Sequence, residues 1–255
     1  MNPPSSSAAG PRVLLIGATS AIAHEVARAY AGRGARLVLV GRRADALQAN
    51  AADLRVRGAA DVATAVLDAN ALDAHAEVLA QAWQRFGGLD VALVAHGTLP
   101  DQALAQTSVA ETVSCLQTNA VSVIALLTDL ANRFEAQGSG VIGVISSPAG
   151  DRGRASNYVY GAAKAAVTNF ASGLRHRLFA RGVRVVTVLP GFVDTPMTAS
   201  LPKGGPLWAK PERVAADIVA ALERRNGTLY TPWFWRWIMA IVTHLPPALF
   251  LRSKL

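Results

Sequence analysis

Arg12-Val-Leu-Leu-Ile16-Gly17-Ala-Thr19-Ser20-Ala21-Ile22-Ala23-His-Glu-Val26-Ala-Arg-Ala-Tyr30 passes from an apolar run through a turn into a helical repeat. The run 12–16 is short and apolar enough for a buried strand, Gly17 permits a tight turn, and Ile22, Val26 and Tyr30 recur every four residues on one helical face. The alternation repeats along the chain. Strands are expected at 37–40, 62–67, 91–95, 141–145 and 183–189, with helices at 44–57, 72–86, 108–136 and 157–180 between them. Apolar strands each separated by a helix imply a parallel sheet covered on both faces. The fold class is therefore α/β, a doubly wound parallel sheet of Rossmann type. One domain spans residues 11–231, ending in a helix at 211–225 and a strand at 228–231, between a loose tail 1–10 and a Trp-rich arm 232–255.

Composition narrows the function. At 255 residues and 51% hydrophobic content the chain can fill one large core. Its start, rich in Pro, Ser and Ala, lacks the basic and apolar regions of a secretory signal, so a cytoplasmic protein is expected. The single cysteine, Cys115, excludes an internal disulfide or a Cys-rich metal centre, and it reads as a small buried side chain. No metal is expected. A net charge of +8 suits an anionic partner such as a phosphate-bearing cofactor, a phosphorylated substrate or a membrane surface. The basic residues are scattered and carry no nucleic-acid-binding signature, so no nucleic acid partner is expected.

In a doubly wound sheet, ligands bind beyond the carboxyl ends of the strands. The residues that can do chemistry follow strands here. The turn Gly17, Thr19, Ser20, Ala21, Ile22 opens a helix whose free amides and dipole suit a pyrophosphate. After the second strand come Arg42 and Arg43, where a carboxylate would accept from the ribose 2′-hydroxyl of NAD and an arginine would pair with the 2′-phosphate of NADP. The expected cofactor is NADP(H), with Arg42 the main contact and Arg43 a second. Asp68, Ala95, His96, Gly97, Ser146 and Ser147 follow later strands, as do Pro190, Gly191, Val193 and Thr195.

Tyr160 and Lys164 lie one turn apart on one face of the helix expected at 157–180. A phenol titrating near ~10 is a poor proton shuttle at neutral pH, and a neighbouring ammonium favours the phenolate. The pair reads as a proton-donating site.

With the Gly17 loop, the alternation and the Tyr-x-x-x-Lys pair together, residues 12–195 resemble the short-chain dehydrogenase/reductase family. That resemblance implies a catalytic set of Asn119, Ser147, Tyr160 and Lys164. Ser147, thirteen residues before Tyr160, has the family's spacing and is favoured over Ser146. It also implies that Asp68 contacts adenine and that the loop Pro190-Gly191-Phe-Val193-Asp-Thr195 lies over the nicotinamide. In the implied reaction a ketone takes hydride from NADPH and a proton from Tyr160. Ser147 orients the carbonyl, Lys164 lowers the Tyr160 pKa and holds the ribose, and Asn119 ties a relay water to Lys164. The sequence departs from the family pattern twice. Ala21 and Ala23 stand for glycines, and Val94-Ala95-His96-Gly97 stands for Asn-Asn-Ala-Gly, with His96 read as structural rather than catalytic.

Arg152 and Arg154 border the expected substrate site and suit an anionic substrate such as a phosphate; Asp151 is a candidate partner for either. Trp233, Trp235 and Trp237 open the arm, whose apolar run 237–242 is too short to span a bilayer. Aromatics at its start and Arg252 and Lys254 at its end fit an interfacial anchor on an anionic leaflet, the inner face of the cell membrane; burial on its own domain or in an oligomer interface is the alternative. The segment 150–164 with this arm resembles the family's reductases of polyprenylphosphoryl 2-keto pentoses, which implies a lipid-linked ketone and a partner oxidase that makes it. A reductase of a small soluble ketone and a catalytically silent NADP-sensing or scaffold protein remain as alternatives. Family analogy makes helices 108–136 and 157–180 the faces of a homodimer or homotetramer.

Overall fold

The computed structural model describes residues 10–202 and 204–253. All but Gly10 of the expected loose tail, and Lys254 of the arm, lie outside the described residues. The chain runs β1 (Arg12–Ile16), α1 (Ala21–Ala31), β2 (Arg36–Gly41), α2 (Ala44–Val56), β3 (Asp61–Val66), α3 (His75–Phe86) and β4 (Val91–Val94). There follow α4 (Gln102–Ala105), α5 (Val109–Leu116), α6 (Ser122–Gln137), β5 (Gly140–Ile145), α7 (Tyr158–Leu178) and β6 (Val183–Pro190). The last elements are β7 (Phe192–Val193), β8 (Trp208–Ala209), α8 (Pro211–Arg224), β9 (Gly227–Thr231), α9 (Trp235–His244) and α10 (Pro247–Phe250). Among the described residues, the expectations missed the short helix α4 and the two-stranded β7–β8 ribbon.

Seven strands pair in parallel in the order β3-β2-β1-β4-β5-β6-β9. The chain builds outward from β1 to β3, then crosses back to place β4 on the other side of β1. This reversal leaves a crevice past the ends of β1 and β4. The apolar strand residues face two cores. Val26, Leu47, Ile218 and Leu222 from α1, α2 and α8 pack on one face of the sheet. Leu79, Leu126, Leu130 and Val167 from α3, α6 and α7 pack on the other.

The helical run 109–137 has the length and apolarity to cross a membrane. Within it Leu126, Leu127, Leu130 and Phe134 are fully buried in the core, while Val109, Val113 and Val121 are exposed. Each buried side chain contributes roughly 1.5–3 kcal/mol by leaving water. The run contains one π-helical turn, Gln117–Val121, which holds Asn119.

Candidate active site

A cleft of about 1420 Å³ opens at the carboxyl ends of the strands, over the β1/β4 crevice. Its cofactor half begins at Gly17, which adopts φ +80°. A side chain there would meet the backbone nitrogen of His96 at 2.6 Å, so glycine lets the turns after β1 and β4 touch. Ser20 caps α1 by accepting from the Ala23 amide at 3.2 Å, which leaves the first amides, Ala21 and Ile22, for a ligand. The two alanines that replace the expected glycines are accommodated. Ala23 is fully buried in the core beneath the cap, and Ala21 begins the helix at the cleft wall.

Arg42 and Arg43 line the same cleft, both exposed, and neither side chain makes a hydrogen bond or ion pair with a described residue. Thr19, Asp68, Ala95, Gly97, Pro190, Gly191, Val193 and Thr195 also line it. A Cβ added at Gly97 would come within 2.8 Å of Asn119 Oδ1 and 3.5 Å of Lys164 Nζ. The tight turn, the free amides at a helix N-terminus and the unpaired arginine pair together fit a phosphorylated dinucleotide.

At the reacting end, α7 and the end of β5 bring Ser147, Tyr160 and Lys164 to the cleft wall. The Ser147 oxygen accepts from the Ala149 amide at 3.2 Å, and the Ser147 side chain lies close enough to the Tyr160 phenol to favour its ionised form. Ser146 is buried and turned away: its hydroxyl donates to the Lys164 carbonyl at 3.0 Å and bonds Thr168 Oγ1 at 2.8 Å, tying β5 to α7. Lys164 is buried and donates to the Ile145 carbonyl at 3.2 Å, with Nζ 5.6 Å from the Tyr160 ring centre.

The electrostatics differ from expectation. Burial pushes the Tyr160 phenol up to about 12, opposed by the nearby Ser147 side chain rather than by Lys164. Burial likewise pushes Lys164 down to about 8. Desolvation penalises both charged forms more than the two side chains help one another. Tyr160 is thus held as a protonated donor.

Asn119 is fully buried in the π-helical turn and does not line the cleft. Its Oδ1 accepts from the Thr98 amide at 2.9 Å, and its Nδ2 donates to the Cys115 carbonyl at 3.1 Å. With its side chain so committed, it fixes the Gly97–Thr98 turn beside Lys164. His96 bonds Ser122 Oγ at 2.9 Å, and Ser122 donates in turn to the Thr118 carbonyl at 2.8 Å. Burial pushes His96 down to about 3, so it is neutral and serves as a tie from β4 to α6.

The two arginines of the 151–154 loop part company. Arg154 lines the cleft, half-buried, its side chain without a hydrogen bond or salt bridge to a described residue; burial lowers its pKa against the pull of Asp151. Arg152 does not line it. Its Nη1 donates to the carbonyls of Val242 at 2.6 Å and Leu245 at 2.8 Å, and its guanidinium sits 3.7 Å over the Phe250 ring. The expected substrate contact by Arg152 is therefore corrected: exposed carbonyls at the end of α9 compete for its donors and hold it there. Asp151 accepts from the Tyr230 hydroxyl at 2.9 Å.

The arm supplies what sequence reasoning missed. Trp235, Ile238, Met239 and Val242 of α9 form one wall of the cleft. Trp235 lies against Gly191, where a Cβ would fall 1.8 Å from the indole nitrogen, and edge-on to Phe192 at 5.3 Å, which stacks on Trp208. The i, i+4, i+7 spacing of Trp235, Met239 and Val242 signals a buried helix face. Nothing local says that the face it meets is the active site.

Comparison with known proteins agrees with this geometry. A family model described as short chain dehydrogenase matches residues 11–205. An uncharacterized oxidoreductase of Mycobacterium tuberculosis (strain H37Rv) is 41% identical over 234 residues, 92% of this chain and 93% of that protein. An uncharacterized oxidoreductase of Streptomyces coelicolor is 36% identical over 252 residues, covering 98% of each. Among solved structures, an actinorhodin polyketide ketoreductase variant crystallised with NADPH superposes with a TM-score of 0.77. It is 24% identical, covering 87% of this chain and 95% of that one, and shows the likeness of fold.

Proposed function

The chain belongs to the short-chain dehydrogenase family and is an NAD(P)-dependent oxidoreductase; we propose that it is an NADPH-dependent ketoreductase acting on a ketone that carries an anionic group and an apolar chain. The observation that carries this reading is the convergence of a protonated Tyr160, Ser147 and Lys164 in one cleft with the unpaired Arg42 and Arg43. Gly17 and the Ala21 and Ile22 amides would hold the pyrophosphate, and Arg42 and Arg43 the 2′-phosphate. When bound there, the dihydronicotinamide would provide the hydride for the carbonyl carbon.

Tyr160 Oη gives its proton to the carbonyl oxygen, and the Ser147 hydroxyl holds that oxygen in place. Lys164, cationic at neutral pH, stabilises the phenolate that Tyr160 leaves behind until solvent returns the proton. Ketone, NADPH and one proton become alcohol and NADP⁺. On the substrate side Arg154 is a half-buried cation with no ion-pair partner among the described residues, the electrostatic setting in which an anionic group replaces lost hydration. In the same cleft Ile238, Met239 and Val242 offer an apolar wall. A polyprenylphosphoryl 2-keto pentose, the substrate class the sequence resemblance implies, meets both demands, and a partner oxidase would supply the ketone.

The test is a panel of phosphorylated, lipid-linked and neutral soluble ketones, reduced with NADPH or NADH by the wild type and by Arg42→Asp. Preference for NADPH and for ketones with an anionic group is expected. Arg42→Asp should lower the NADPH-to-NADH ratio about 10–100-fold, the worth of a charge-assisted hydrogen bond. An unchanged ratio refutes the cofactor assignment; equal rates on neutral soluble ketones refute the substrate class.

A further inference from the structure

The helix α9 has two apolar faces, and only one of them is used by the fold. Trp235, Met239 and Val242 are buried against the domain. On the other side Trp233, just before the helix, and Trp237 and Ile241 repeat every four residues and are 66, 62 and 66% exposed. Beyond α9, Leu249 and Leu251 are exposed as well. The charge along this segment of the chain has one sign. After Glu223 the sequence contains no Asp or Glu, while Arg224, Arg225, Arg236, Arg252 and Lys254 follow. Arg236 and Arg252 are exposed and make no ion pair with a described residue.

We infer that this outer face of the C-terminal arm docks the protein on an anionic lipid bilayer, leaving a single helix between the bilayer and the substrate cleft. Trp side chains favour the boundary between headgroup and acyl chain, and the arginines favour anionic headgroups. A second copy of the chain would bring the same cations together without carboxylates to pair them in this segment, which favours the bilayer over self-association. The arm is fixed to the catalytic loop by Arg152, so a docked α9 holds the cleft at the surface. The lipid nature of the substrate rests on the proposed ketoreductase; the surface itself does not.

Full-length protein is floated through a density gradient with vesicles of phosphatidylcholine alone, or of phosphatidylcholine mixed with phosphatidylglycerol. It should rise with the anionic vesicles and much less with the neutral ones, and added salt should weaken the association. Replacing Trp233, Trp237 and Ile241 together by Ser should weaken vesicle binding about tenfold or more, with NADPH binding unchanged. Arg236→Glu with Arg252→Glu should abolish the anionic preference. Failure to float with anionic vesicles overturns the proposal. So does a dimer, seen by sedimentation, that the triple Ser variant splits while vesicle binding is untouched. Wild type that floats but reduces no ketone would refute the reductase reading and leave the docking surface standing.

Discussion

Tyr160 and Lys164 show how far two residues can be read from spacing. Their four-residue separation put them on one face of a helix, as α7 displays. Their ionisation followed from burial, which spacing does not report. Ser147 was separable from Ser146 by its distance from Tyr160, and the structure supplies the physical difference, since Ser146 is bonded to Lys164 and Thr168. A pH dependence follows. Lys164 is charged below about 8 and neutral above it, while Tyr160, at about 12, stays protonated across that range. The kcat/KM for NADPH, which reports groups of the free enzyme, should be level on the acid side and fall about tenfold per unit above that pH. Lys164→Arg, which cannot lose its charge there, should remove the falling limb. A profile that rises through this range contradicts the assignment.

Among the elements, the strands and long helices were legible because the buried strands are short continuous apolar runs, the helices carry a period of 3.6, and breaking residues separate them. The β7–β8 ribbon was not: two residues per strand carry no period, and it forms through tertiary contact and the stacking of Phe192 on Trp208. The arm was half legible. Its apolar and aromatic character stood out, but the clasp by Arg152 joins residues about ninety positions apart and has no local signature. Arg152→Ala should free the end of α9. Losing charged donors to its carbonyls costs about 1.5–3 kcal/mol, so amide exchange in α9 should quicken about tenfold or more. The KM for the ketone should rise more than that for NADPH, because α9 walls the cleft while the turns after β1, β2, β3 and β4 build most of the cofactor half. Unchanged exchange in α9 would contradict the clasp.

At the scale of the whole molecule, the order β3-β2-β1-β4-β5-β6-β9 gathers residues from six separate loops at one edge of the sheet. That is why the candidate site could be read from the sequence at all. Once the alternation established a parallel sheet, every residue just after a strand had to lie at the same end, and the sequence-derived cofactor residues do line one cleft. The substrate wall was not readable, because it comes from a helix that follows the last strand and folds back over the cleft. Hydride transfer to a ketone with Tyr160 as proton donor is the reaction proposed for this cleft. It is tested most directly with NADPH deuterated at the transferring carbon of the nicotinamide, and by following the label into the alcohol for wild type and Tyr160→Phe. The account predicts one deuterium on the carbinol carbon with wild type and a loss of about 10²–10⁴ in kcat for Tyr160→Phe at unchanged NADPH affinity; full turnover by that variant, or no label in the product, would contradict it.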